Sequence, residues 1–251
     1  MLKHDWFLPD NVAIAITDRH GGYSLPPFDS LNLGLHVGDN QQHVLANRAA
    51  LCQQLRLPTE PLWLDQVHGV DVVNLPHLAL TESVRDSTSL LPIKADASYS
   101  NKAGDVCVVM TADCLPVLLC NKQGTEVAAV HAGWRGLCAG VIEQTVALFS
   151  CPTTELIAYL GPAIGPDAFE VGAEVRDAFM QKNLQASQYF TPYHNKYLAD
   201  LAGLATFRLS QMGVPQVFNA NVCTFNDTNY FSYRRDQQTG RMASFIWLKS
   251  Q

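Results

Sequence analysis

The segment VHAGWRGLCAGV, residues 130 to 141, ends an apolar run on His131 and follows it with Trp134 and Arg135 between two glycines. Upstream, ADCLP places Cys114 between an aspartate and a second apolar run. LPVLLC (115–120) and EVAAVHA (126–132) flank the turn tetrapeptide NKQG (121–124), a combination that predicts a β-hairpin. With a symmetric loop, Cys114 and His131 stand directly opposite each other on one face, Cβ atoms roughly 4.5–5.5 Å apart. Two chemistries use such a pair. An imidazole beside a thiol stabilises the thiolate and makes a nucleophile. As metal ligands the two need a third, since catalytic zinc usually takes three protein ligands and keeps a fourth position open. His68 in LDQVHGVDVV, at the start of an apolar run and before a glycine, is the candidate. Plain packing of a cysteine against a histidine is the alternative the spacing leaves open.

The GWRG turn adds a second signal. A helix start presents unpaired N–H groups and partial positive charge. Arg135 adds a full charge and a planar donor fork, which together suit an anion such as phosphate. Trp134 offers a flat apolar wall for a ring, and Gly133 and Gly136 are expected to let the backbone turn sharply. The competing assignment makes Trp134 core and Arg135 a structural ion pair.

These residues need a scaffold. Strands are expected at VAIAIT (12–17), HGVDVVNL (68–75), DVCVVMT (105–111), LPVLLC, EVAAVHA, ELIAYLG (155–161) and SFIWL (244–248). Helices are expected at 40–56 behind an Asp39/Asn40 cap, at 136–149, at 171–182, and at 198–212 with Gly213 as the stop. Residues 76–93 read as one long polar connection and not a domain boundary. The elements mix without regular alternation, so the expected class is α+β, a layered mixed β-sheet sandwich covered by helices, in one domain over 1–251. No GxGxxG or P-loop pattern occurs.

The 251 residues are 47% hydrophobic and 16% charged, enough for a substantial core. The net charge of −6 argues against nucleic acid as a partner. No apolar run approaches the ~18 residues of a membrane span, and the polar start MLKHDWFLPD does not read as a secretory signal. Seven cysteines without a CxxC suggest reduced thiols in a cytoplasm. The sequence sets no oligomeric state, and a monomer is compatible with it.

The motifs TDRHGGYS (17–24), SLNLGLHVGDN (30–40), ANR (46–48), DQVHG (65–69), KADASYS (94–100), TADCLPVLL (111–119), AAVHAGWRG (128–136), GPAIGP (161–166), FEVG (169–172) and FSYRRDQQTGRMAS (231–244) occur in order along the chain. In these the sequence resembles the YfiH family, also called the laccase-domain or multicopper polyphenol oxidase family and described as purine nucleoside phosphorylases. The resemblance implies a metal-binding and catalytic triad at His68, Cys114 and His131. It implies a fold similar to that of a bacterial deamidating toxin with a Cys–His pair. It also implies a zinc enzyme acting on purine nucleosides: phosphorolysis of adenosine, inosine, guanosine or methylthioadenosine, and deamination of adenosine. The stretch between DQVHG and ADC is longer than usual for the family. Phosphate is expected at Arg135 with Arg48 or Arg19 beside it, and Asp113 and Asp65 are candidates for proton transfer. The other classes are a copper-dependent, laccase-like polyphenol oxidase, which eight histidines without an HxH pair do not favour, and a metal-free Cys–His hydrolase or amidase.

Overall fold

The computed structural model describes residues 1–76 and 93–249, so most of the connection expected at 76–93 lies outside the described residues. The fold is a layered α+β sandwich. A six-stranded mixed sheet has the order β11-β7-β5-β6-β3-β2, and a three-stranded antiparallel sheet has the order β1-β12-β4. The strands are β1 (Val12–Ile16), β2 (Val72–Asn74), β3 (Ala97–Ser100), β4 (Val106–Thr111), β5 (Leu115–Asn121), β6 (Val127–Ala132), β7 (Leu156–Leu160), β11 (Gln216–Asn219) and β12 (Met242–Leu248). A small third sheet joins β8 (Glu170–Val171), β9 (Phe190–Tyr193) and β10 (Lys196–Ala199).

The apolar runs of β5 and β6 are continuous because both faces of their sheet are covered. Leu118, Cys120, Val127 and Ala129 face the three-stranded sheet and pack with Cys107, Val109 and Ile246. Leu115, Val117, Leu119, Ala128 and Val130 face the other way, onto Leu137, Ile142, Leu204 and Leu209 of the covering helices. The far side of the three-stranded sheet buries Val106, Val108 and Phe245 with Leu51 of α1 (Gln41–Leu55). α1 starts as expected, with the Asn40 side chain accepting from Gln42 N.

The helix expected over 136–149 is two. α2 (Trp134–Ala139) and α3 (Val141–Val146) are separated at Gly140, whose φ of 109° turns the chain out of the helical region. Further α-helices among the described residues are α4 (Ala173–Lys182), α5 (Leu201–Gln211) and the short α6 (Tyr233–Asp236). No helix among the described residues is long and apolar enough to cross a membrane.

The β5–β6 hairpin forms with a shifted register: His131 lies opposite Pro116, not Cys114. Asn121 stays in the ladder, its N–H donating to Glu126 O. Its side-chain oxygen accepts from the N–H groups of Thr125 and Glu126, so the turn spans Lys122 to Thr125. The slip moves Cys114 by two positions relative to His131. With a side-chain period of two, that leaves both on the same face, in a diagonal relation.

Candidate metal centre

Three chain segments end at one mouth of the sandwich. β6 carries His131 at its end, Cys114 immediately precedes β5, and His68 lies in the turn before β2. One ligand atom from each of the three lies within 4.8 Å of the others, and this is the one such group of three among the described residues. His131 is buried, Cys114 half-buried and His68 exposed, so the cluster runs from the core to solvent. Cys114 Sγ is 3.7 Å from His68 Nε2, and the two imidazoles meet edge to face at 4.8 Å between centroids.

A buried carboxylate organises both histidines. Asp96 is fully buried, just before β3. Its Oδ1 accepts from His131 Nδ1 at 2.8 Å and from His68 N at 2.8 Å, and its Oδ2 from Val67 N and Gly69 N at 3.2 and 2.6 Å. These bonds hold His68 at a φ of 62°, a backbone state that costs energy for a residue with a Cβ. With Nδ1 of His131 committed to Asp96, Nε2 is its nitrogen left for a ligand.

Burial works against the Asp96 carboxylate, but the hydrogen bonds from His131, Gly69 and His68 bring its pKa below the ordinary value. Burial likewise works to raise the Cys114 thiol. The charge and hydrogen bond of His131, with those of His68, outweigh it and lower the thiol to about 6. His131 moves the opposite way, up to about 9, because Cys114 and Asp96 favour its charged form over the burial that opposes it. Without a metal, the pair is a thiolate and an imidazolium near neutrality.

The expected sharp turn at the glycines is a matter of space, not of backbone freedom. Gly133 has a φ of −63°, open to any residue. A Cβ there would stand 2.8 Å from His68 Cδ2 and 3.0 Å from Cys114 Sγ. At Gly136 a Cβ would stand 2.7 Å from the carbonyl oxygen of Gly69. Both glycines let α2 pack directly on the donors and their turn.

The donors open into a cavity of roughly 390 Å³ whose lining includes His36, Gln66, Met110, Tyr233 and Arg241. Arg48 and Arg135 do not line it. Arg48 lies on the buried face of α1, donating from Nε and Nη2 to Leu33 O at 2.9 and 2.7 Å with its guanidinium 3.9 Å above Trp63. Arg135 is exposed and lies over Trp134, which packs against the helix-side core instead of walling the cavity. Arg19 is tied to Asp29. Asp113 accepts from Thr224 Oγ1 and Arg234 N, both at 2.7 Å, which fixes the turn before Cys114, and Asp65 pairs by its backbone with the Ile93–Ala95 segment.

Arg241 lines the cavity, and its Nη1 donates to the carbonyls of Thr239 and Gly240. Burial, then the charge of Arg241, pushes His36 below its usual pKa, so it is neutral at pH 7. Asp96 and Arg241 were singled out by no local spacing, although both fall inside the ordered motifs. A second cavity of roughly 430 Å³ at the ends of β7 and β11, lined by Tyr189, Asp200, Asn219 and Cys223 among others, contains none of these donors.

The profile of a family described as multi-copper polyphenol oxidoreductase laccase matches residues 13–249. This chain belongs to that family. It is 55% identical over 249 residues to the purine nucleoside phosphorylase YfiH of Escherichia coli K12, covering 99% of this chain and 98% of the relative. It is 49% identical over 251 residues to the purine nucleoside phosphorylase PA4543 of Pseudomonas aeruginosa, at 99% and 98% coverage. Among solved structures, protein NMB0706 of Neisseria meningitidis superposes with a TM-score of 0.90 at 46% identity, covering 98% of each chain. YlmD of Geobacillus stearothermophilus gives 0.87 at 29% identity, covering 96% of this chain and 93% of that one.

Proposed function

We propose that this chain is a zinc-dependent purine nucleoside enzyme of the cytoplasm. It would carry out phosphorolysis of adenosine, inosine, guanosine or methylthioadenosine, and deamination of adenosine in the same cavity. The observation that carries the reading is the Asp96-braced set of one sulfur and two imidazoles opening into a cavity that Arg241 lines. Thiolate and imidazole donors are those zinc prefers, and His131 has the carboxylate behind it that metal-bound histidines characteristically have. A zinc ion held by His68, Cys114 and His131 would supply Lewis-acid polarisation at an open fourth position.

The remaining work falls to the chain itself. The volume suits a small organic substrate, for which sites run roughly 300–1,000 Å³. Arg241 keeps Nε and Nη2 for a phosphate, since its Nη1 is spent on backbone carbonyls. This assigns to Arg241 the anion role expected of Arg48 and Arg135. The Tyr233 ring at the cavity suits a purine, and the neutral His36 can accept or relay a proton. All seven cysteines are free, in keeping with a reducing compartment.

Incubation with adenosine, with and without phosphate, tests the reading. Adenine and ribose 1-phosphate that appear only with phosphate support phosphorolysis, and inosine supports deamination. No turnover of any purine nucleoside by the zinc-loaded protein would end the proposal. The family description motivates a copper-dependent polyphenol oxidase, favoured if protein grown without added copper carries near-stoichiometric copper and little zinc. The lowered thiol pKa of Cys114 motivates a metal-free hydrolase, favoured by an acyl adduct on Cys114 formed with chelator present.

A further inference from the structure

Gln66 lines the cavity, where a side-chain amide is ordinarily assigned to substrate recognition. Its polar atoms are already committed. Nε2 donates to Met110 O at 2.8 Å, and Oε1 accepts from Met110 N at 2.7 Å. Met110 lies in β4, an edge strand of the three-stranded sheet, with Ala243 of β12 across from it. The Gln66 amide therefore fills one peptide's worth of open strand edge, as a neighbouring strand would.

The neighbouring residues are fastened elsewhere. The N–H groups of Val67, His68 and Gly69 bond to Asp96, which precedes β3 in the six-stranded sheet. The turn carrying His68 thus spans the two sheets, clipped to one by Gln66 and to the other by Asp96. Of the three donors, His68 is the exposed one and the one not adjoining β5 or β6, so its place depends most on these clips.

We infer that Gln66 is a positioning residue: its amide docks the His68 turn on β4 and thereby sets His68 relative to Cys114 and His131, without touching substrate. An amide is needed because one end must accept and the other donate. Gln66→Glu sets an acceptor against the Met110 carbonyl, and Gln66→Met keeps the length but offers no donor. The inference rests on reading the three donors as a metal centre, so its test carries one readout with metal and one without.

The protein and both variants are compared by zinc affinity in chelator competition and by backbone hydrogen exchange over residues 65–69 in metal-free protein. Circular dichroism establishes that each is folded. The expected result is zinc affinity lowered about tenfold or more in both variants, with exchange at 67–69 at least tenfold faster. Zinc affinity within twofold of wild type overturns the inference even if exchange quickens, because the turn is then loosened without consequence for His68. Unchanged exchange overturns it too, because the turn is then held without Gln66. If the wild-type protein binds no zinc, the metal reading fails, and exchange alone decides whether Gln66 docks the turn.

Discussion

At the scale of single residues, Asp96 separates a built site from a chance meeting of side chains. It accepts four hydrogen bonds within a fully buried setting, and each serves His131 or the His68 turn. An amide cannot replace it, because Nδ2 would face N–H groups on one side of the carboxyl. Asp96→Asn is therefore expected to lower zinc affinity about 10- to 100-fold in chelator competition, the usual cost of removing a carboxylate behind a metal-bound histidine. An affinity within twofold of wild type would show that His131 needs no such partner. Cys114 gives a second residue-scale prediction. In metal-free protein its alkylation by iodoacetamide should rise through a midpoint near pH 6, whereas Cys52 and Cys151, whose thiols burial pushes up, react only at much higher pH. A Cys114 midpoint near 9 would mean that His131 does not charge it.

The elements show which parts of this arrangement were legible in the sequence. β1, β4, β5, β6, β7 and β12 were legible because sheets covered on both faces write continuous apolar runs. The hairpin was legible except for its register, since the Asn121 side chain binds the turn in a way composition does not reveal. β3 was not anticipated: its sequence ASYS is polar, and its burial comes from neighbours distant in the chain. Asp96 and Arg241 escaped for the same reason, since the sheets and not the spacing bring them to the cavity. The glycines of GWRG are visible in the sequence, but their role is to leave space and not to free the backbone, which gives a paired prediction. The atoms that Gly133→Ala meets first belong to the side chains of His68 and Cys114, so zinc affinity should fall at least tenfold with little change in melting temperature. Gly136→Ala meets the backbone of Gly69, which cannot step aside, so stability should fall as well, by about 1–3 kcal/mol. Equal melting temperatures for the two would refute the distinction between side-chain and backbone contact.

For the molecule as a whole, folding moves a proton between two residues without changing the number bound. Near pH 7.5 the unfolded, metal-free chain carries Cys114 as a thiol, ordinary value 9.0, and His131 as a neutral imidazole, ordinary value 6.5. The folded chain carries a thiolate and an imidazolium, with values of about 6 and about 9. Taken alone, the raised His131 stabilises fully below 6.5 and loses that contribution as pH rises through 9. The depressed Cys114 stabilises fully above 9.0 and loses it as pH falls through 6. Across the window between, the two slopes oppose, because folded and unfolded states each hold one proton on the pair. His36, pushed down by burial and then by Arg241, stabilises above 6.5 and withdraws that support as pH falls. Asp96, pulled below its ordinary 3.8, stabilises above that value and is lost as pH drops further. Urea midpoints of chelator-treated protein should therefore stay level from about pH 6.5 to 9, decline below, and fall steeply under pH 4. A slope near 1.4 kcal/mol per pH unit across the window, in either direction, would mean that only one member of the pair is shifted. The charge-separated centre would then not exist in the metal-free fold.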